Sequence, residues 1–129
     1  MSNLPKISEA ELEIIRILWE NDAPMTVTQI RTEAEKRLNW EPSTVKTLLS
    51  RLLQKGAVSR TQEDGQKVYH YAALISKEDY GRESADKLID KMFKGSAKNL
   101  VAALVSSNKL TKSDIAELYE LWGDDKDEK

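Results

Sequence analysis

Ser43-Thr44-Val45-Lys46-Thr47-Leu48-Leu49-Ser50-Arg51-Leu52-Leu53-Gln54-Lys55-Gly56 is the stretch on which the reading of this chain turns. At about 100° per residue, Val45, Leu48, Leu49, Leu52 and Leu53 fall within one arc of a helix. The opposite arc collects Ser43, Thr44, Lys46, Thr47, Ser50, Arg51, Gln54 and Lys55, with no carboxylate among them. Exposed helix faces usually mix both signs, as Glu9, Glu13 and Arg16 do, and Arg31, Glu33, Glu35 and Lys36. Gly56 stops the helix because it accepts left-handed dihedrals. The period then changes. Ala57–Thr61 and Lys67–Ala72 are rich in β-branched and aromatic residues, and Asp64-Gly65 between them is a hairpin-turn signal.

Upstream and downstream of this stretch, helix starts are marked by one spacing. Ser8-Glu9-Ala10-Glu11, Thr26-Val27-Thr28-Gln29, Ser76-Lys77-Glu78-Asp79 and Thr111-Lys112-Ser113-Asp114 each place a hydroxyl three residues before a carboxylate or amide. That spacing lets the hydroxyl accept the N3 amide hydrogen while the N3 side chain reaches back to the cap. The apolar pairs Ile7 with Leu12, Met25 with Ile30, Ile75 with Tyr80 and Leu110 with Ile115 stand at the staple positions. Helices are therefore expected over about Glu9–Asn21, Val27–Leu38, Pro42 or Ser43–Gly56, Lys77–Lys94, Ala97–Val105 and Lys112–Trp122.

Three helices followed by a hairpin define the expected fold class, mainly α with a small β-hairpin wing. Residues 1–75 read as a winged helix-turn-helix and 76–123 as a helical dimerisation segment. The acidic tail 124–129 reads as disordered and solvating. The C-terminal helices carry more apolar surface than so short a segment can cover alone. Leu88, Ile89, Met92, Phe93, Leu100, Val101, Leu104, Ile115, Leu118, Leu121 and Trp122 are accordingly the expected dimer interface.

The 129 residues suit one small domain with an appendage, and 40% hydrophobic content supports a core. No apolar run approaches the ~20 residues of a membrane span, and the N-terminus lacks the apolar stretch of a secretory signal. The absence of cysteine excludes disulfides, thiolate metal sites and a thiol nucleophile. A cytoplasmic protein is expected, without membrane contact. The net charge of −2 argues against a general nucleic-acid coat. Its distribution is more telling: Lys46, Arg51, Lys55 and Arg60 follow one another with no acid from Ser43 to Arg60.

That distribution matches what a recognition helix needs. Base edges in the major groove are read by hydroxyls, amides and long cations, whereas carboxylates nearby would repel phosphate. Thr47 and Ser50 are small enough for close approach, and Lys46 and Arg51 reach outward from the edges of the face. Ser43 as the cap would put Lys46 at N3, leaving no capping box and free amides suited to a phosphate. Lys55 joins the set, and the wing adds Arg60 and Lys67, with Glu63 and Asp64 opposing deep insertion of its tip. The competing reading of the same face is a solvated one, on a winged helix used for protein contact without DNA.

These residues resemble the BlaI/MecI family of penicillinase repressors. The likeness lies in Ile7-Ser8-Glu9-Ala10-Glu11, Ile17-Leu18-Trp19, Ser43 to Leu52, Lys55-Gly56, Tyr71, Phe93-Lys94-Gly95, Leu100-Val101 and Leu118. It covers nearly the whole chain, and Thr44-Val45-Lys46-Thr47-Leu48-Leu49 with Arg51-Leu52 is its most specific part. The resemblance implies a homodimer that binds a palindromic operator through two winged helices and represses resistance or stress genes. It makes Ser43, Thr44, Lys46, Thr47, Ser50 and Arg51 the operator-reading candidates. Two departures stand out. The cysteine cluster of the copper-responsive branch is missing. In the β-lactam-responsive members a regulatory protease cuts an Asn-Phe bond; here Ala103-Leu104 occupies the matching place.

No catalytic constellation is visible. Glycines 56, 65, 81, 95 and 123 are isolated, no Ser-His-Asp set stands out, and the carboxylates scatter over amphipathic helices. The single histidine, His70, reads as structural, so neither metal nor cofactor is expected. Trp19, Trp40 and Trp122 read as core residues at helix junctions.

Overall fold

The computed structural model describes residues 4–127, with side chains described as far as Trp122. The elements run α1 (Glu9–Trp19), β1 (Met25–Thr26), α2 (Val27–Leu38), α3 (Pro42–Lys55), β2 (Val58–Gln62), β3 (Tyr69–Ala73), α4 (Lys77–Met92), α5 (Ala97–Ser106) and α6 (Lys112–Asp127). The chain divides into two compact units, Met1–Glu83 and Ser84–Lys129.

The helix starts follow from the caps. Ser8 Oγ accepts the Glu11 N–H at 3.1 Å while Glu11 Oε1 accepts the Ser8 N–H at 2.9 Å. Thr26 with Gln29 and Thr111 with Asp114 make the same reciprocal pair. Ser76 Oγ accepts from Asp79 N–H at 3.0 Å. Ser96 caps α5 through the Asn99 N–H, a cap the sequence reading did not name although it placed the helix start at Ala97. At the far ends, Asn39 and Gly56 close α2 and α3 in the left-handed conformation.

In the first unit α1 packs on α2 and α3, and α3 on β2. The core holds Ile14, Ile15, Ile17, Leu18, Met25, Ile30, Ala34, Val45, Leu48, Leu49, Leu52, Ala57, Val58, Tyr71 and Ile75. Leu53, Trp19 and Trp40 are half-buried against it. Each fully buried Leu or Ile contributes roughly 1.5–3 kcal/mol. Trp19 Nε1–H donates to the Ile75 carbonyl at 2.8 Å, and its ring meets Tyr80 at a centroid distance of 6.0 Å. The start of α4 is therefore tied to the winged helix.

The sheet has three strands in the order β1-β3-β2, not the two expected. Met25 pairs with Tyr71 and Thr26 with His70, all antiparallel. Two residues are too few to show an alternating pattern, so β1 exists only through its distant partner. The hairpin is also longer-tipped than its turn signal implied. Gln62 pairs with Tyr69, and Glu63 O accepts from Gln66 N–H with Gly65 at φ +79°. Lys67 thus lies in the wing loop rather than in a strand.

In the second unit no residue from 84 to 122 is buried. Leu88, Met92, Val101, Ile115, Leu118, Leu121 and Trp122 are exposed, and Ile89, Phe93, Leu100 and Leu104 are half-buried. Trp122, expected as core, is 62% exposed. Helix α6 passes through Gly123, its expected end, to Asp127, so the expected disordered tail is helical over 124–127. One glycine inside a helix costs only about 1 kcal/mol and does not end it without a left-handed turn. Residues 128–129 lie outside the described residues.

Candidate nucleic-acid interface

The sequence of α3 places its two faces as the 3.6-residue period requires. Val45, Leu48, Leu49 and Leu52 are buried, whereas Ser43, Thr44, Lys46, Thr47, Ser50, Arg51 and Gln54 are exposed. The core therefore holds the helix by one side and leaves the acid-free side free. The helix starts differently from expectation. Glu41 is the N-cap without a side-chain cap bond, Pro42 stands at N1, and Ser43 is inside the helix. Proline favours that position because it has no N–H to leave unsatisfied. The Glu41 carbonyl already accepts from Thr44 N–H at 3.1 Å, and the exposed Glu41 carboxylate stands at the same end. The first turn of α3 is thus poorer in free amides than expected.

The expected cations separate into two groups, because Lys46 and Lys55 lie about half a turn apart around the helix. Lys55 faces α1: its Nζ pairs with Glu11 Oε1 at 2.5 Å and donates to the Lys6 carbonyl at 2.8 Å. Glu11 is only 2% exposed. Burial pushes its carboxyl pKa up, but hydrogen bonds from Lys55 and Ser8 outweigh that and hold it below the ordinary carboxylate value. Lys55 is therefore committed inside the domain. Removing this charge would strip the buried carboxylate of its counter-ion.

On the other edge, Lys46 opens into a groove of about 380 Å³ together with Thr26, Val27, Thr28 and Arg31 of β1 and α2, and Lys67, Val68, Tyr69 and Tyr71 of the wing. Three cations and no carboxylate line it. Arg60 lies across the Tyr69 ring, with Cζ 4.1 Å from the centroid, so the wing orders its own cation by a cation–π contact. The structure thus joins Lys46 to Lys67 and keeps Arg60 beside Tyr69, while Lys55 stands apart. The sequence gives no sign that Arg31 and Thr28 line this groove. Alternating charges along α2 read as an ordinary solvated helix, and only the fold turns Arg31 towards the wing. Among the described residues no cluster of His, Asp or Glu could hold a metal ion. No helix there is long and apolar enough to cross a membrane.

A three-helix core, a three-stranded wing and an exposed acid-free third helix define a winged-helix DNA-binding protein. Similarity to known proteins places it further. The penicillinase repressor family model matches residues 7–124, so the chain belongs to the penicillinase repressor family. It is 28% identical over 129 residues to the penicillinase repressor of Bacillus licheniformis, covering 100% of this chain and 98% of that one. It is 30% identical over 116 residues to the methicillin resistance regulatory protein MecI of Mammaliicoccus sciuri, covering 90% and 92%. Among solved structures, the DNA-binding domain of the repressor BlaI aligns with a TM-score of 0.53 and 34% identity, over 62% of this chain and 94% of that one. The Bacillus licheniformis BlaI monomeric form in complex with the blaP half-operator aligns equally well.

Proposed function

We propose that this chain is a cytoplasmic, sequence-specific transcriptional repressor that binds a palindromic operator as a homodimer and controls antibiotic-resistance or stress genes. The observation that carries the reading is the exposed face of α3, polar and cationic without an acid, continuous at Lys46 with the cationic groove. Thr47, Ser50 and Arg51 read base edges from the middle of that face, with Ser43 and Thr44 at its start. Lys46, Arg60 and Lys67 contact phosphates and set the register. The exposed apolar residues of α4, α5 and α6 pair two copies, so that two winged helices meet half-sites spaced by about one helical turn of DNA, ~10 bp, or a multiple.

The test compares operator with random duplex. Thr47→Ala and Arg51→Ala should each weaken operator binding by ~1–3 kcal/mol with far less effect on random DNA. Lys67→Ala should weaken both alike. A winged helix used only for protein contact would bind neither duplex, and unchanged operator affinity in both α3 variants would remove the recognition-helix assignment.

Relief of repression follows a different route from that of the β-lactam-responsive relatives. Ala103-Leu104, which takes the place of their Asn-Phe bond, lies within α5, with Ala103 exposed and Leu104 half-buried. A pocket shaped for an amide followed by an aromatic ring should hold a methyl and an isobutyl group poorly. Co-expression with a β-lactam sensor protease, followed by mass spectrometry of the chain, should show it intact after antibiotic is added. Prompt scission between residues 103 and 104 would restore the relatives' switch.

A further inference from the structure

Among the described residues, Arg31 carries a shielded side-chain donor without a hydrogen-bond partner. It is half-buried on α2, and the donor is its Nε. The other arginine of the same helix, Arg37, pairs with Glu20 and Glu33, and Arg16 pairs with Glu13. Glu35, one turn beyond Arg31, is spaced for an i,i+4 pair, yet no ion pair joins them. A guanidinium presents a rigid fork of donors, and a shielded donor left open costs more than an exposed one. The groove beside it adds Lys46 from α3, Lys67 from the wing loop and the Thr28 hydroxyl, and no acid. Two lysines beside an open guanidinium fit an anion with several acceptor oxygens.

We infer that Arg31, with Lys46 and Lys67, seats one backbone phosphate of the DNA in the groove between α2 and the wing. This rests on the repressor reading and adds to it a residue that positions the recognition helix rather than reads sequence. Arg31 donates from the terminal nitrogens of its guanidinium to the phosphate oxygens, while Lys46 and Lys67 neutralise the charge from either side. The seat joins helix α3 and the wing to the same strand and so sets the depth at which Thr47 and Ser50 enter the major groove.

The experiment measures operator and random duplex binding by fluorescence anisotropy across a range of KCl concentrations, with the full chain. Arg31→Ala should weaken binding to both duplexes by a similar factor, roughly tenfold, and flatten the slope of log affinity against log salt by about one. Arg31→Lys should restore the slope but only part of the affinity, since a point charge replaces a fork. Lys36→Ala, an exposed cation of the same helix paired with Glu33, should leave both affinities unchanged. Operators carrying one neutral methylphosphonate at a time give a second readout that needs only wild-type protein and a folded Arg31→Lys chain. One position should weaken the wild type strongly and Arg31→Lys less. Wild-type affinity and slope in Arg31→Ala, a loss confined to the operator, or no sensitive phosphate would each overturn the seat. A wild type that bound neither duplex would instead overturn the repressor reading, and the seat with it.

Discussion

The two units of this chain treat apolar side chains in opposite ways. Between Met1 and Glu83, the apolar faces of three helices and a short sheet close on one another, and Ile14, Ile30, Val45 and Leu52 reach zero exposure. Between residues 84 and 122 three helices form with comparable apolar residues, yet none is buried, and Leu118 and Leu121 are 54% and 72% exposed. A closed core is sufficient by itself. Exposed apolar surface on that scale is what the proposed pairing of two copies would cover, since a second copy offers the same surface in a self-complementary way. The winged helix thus closes a core of its own, and the C-terminal helices do not.

The largest effect should come from separating the two. A fragment ending at Glu83 keeps the whole core and the Trp19–Tyr80 contact, so it should melt cooperatively and scatter light as a monomer. Its affinity for the full operator should fall by ~10²–10⁴, the loss expected when two half-site binders are no longer tethered. A stable dimer of this fragment would break the comparison.

Single truncations should sharpen it. Leu52→Ala should destabilise the first unit by ~2–5 kcal/mol in urea titrations, because a void opens in a closed core. Leu118→Ala should leave the urea midpoint of that unit in place and instead weaken self-association, read as a concentration-dependent shift in sedimentation. If both variants lowered the same midpoint equally, the two regions would not be distinct.

Acidity tests the first unit from another side. The folded-state pKa of Glu11 is depressed, so its contribution is fully present above the ordinary carboxylate value of 4.5 and is lost as pH falls through the depressed value. Glu11→Gln should cost roughly 1–3 kcal/mol at neutral pH, with the gap from wild type closing in acid. A gap that stayed constant from neutral to strongly acidic solution would show that the charge contributes nothing. Lys55→Met should lift the Glu11 carboxyl above its present value, measurable by NMR titration, because burial would then act without the ammonium.

The smallest effect belongs to a cap. Ser96→Ala removes the acceptor for the Asn99 amide and should cost about 1 kcal/mol of α5 stability. Hydrogen exchange should show faster opening at the start of α5 and no change in α1 to α3.

Local features are legible in the order of the residues. The boxes at Ser8, Thr26 and Thr111 need only residues three apart, and the two faces of α3 need only a helical period, so sequence by itself determined them. The acid-free face of the third helix is legible as well, because exclusion of carboxylates from one face is also a property of a single segment. What the tertiary structure decided were pairings across long separations. β1 exists because Met25 and Thr26 meet Tyr71 and His70, and two residues carry no pattern of their own. Lys55 and Arg31 show the same limit in opposite directions. Lys55, inside the acid-free stretch, is taken by a carboxylate forty-four residues away, whereas Arg31, on a helix of mixed charge, is left open towards the wing. Composition decides which charges a chain possesses; only folding decides which of them remain unneutralised, because that depends on distances of a few ångströms between residues far apart in sequence.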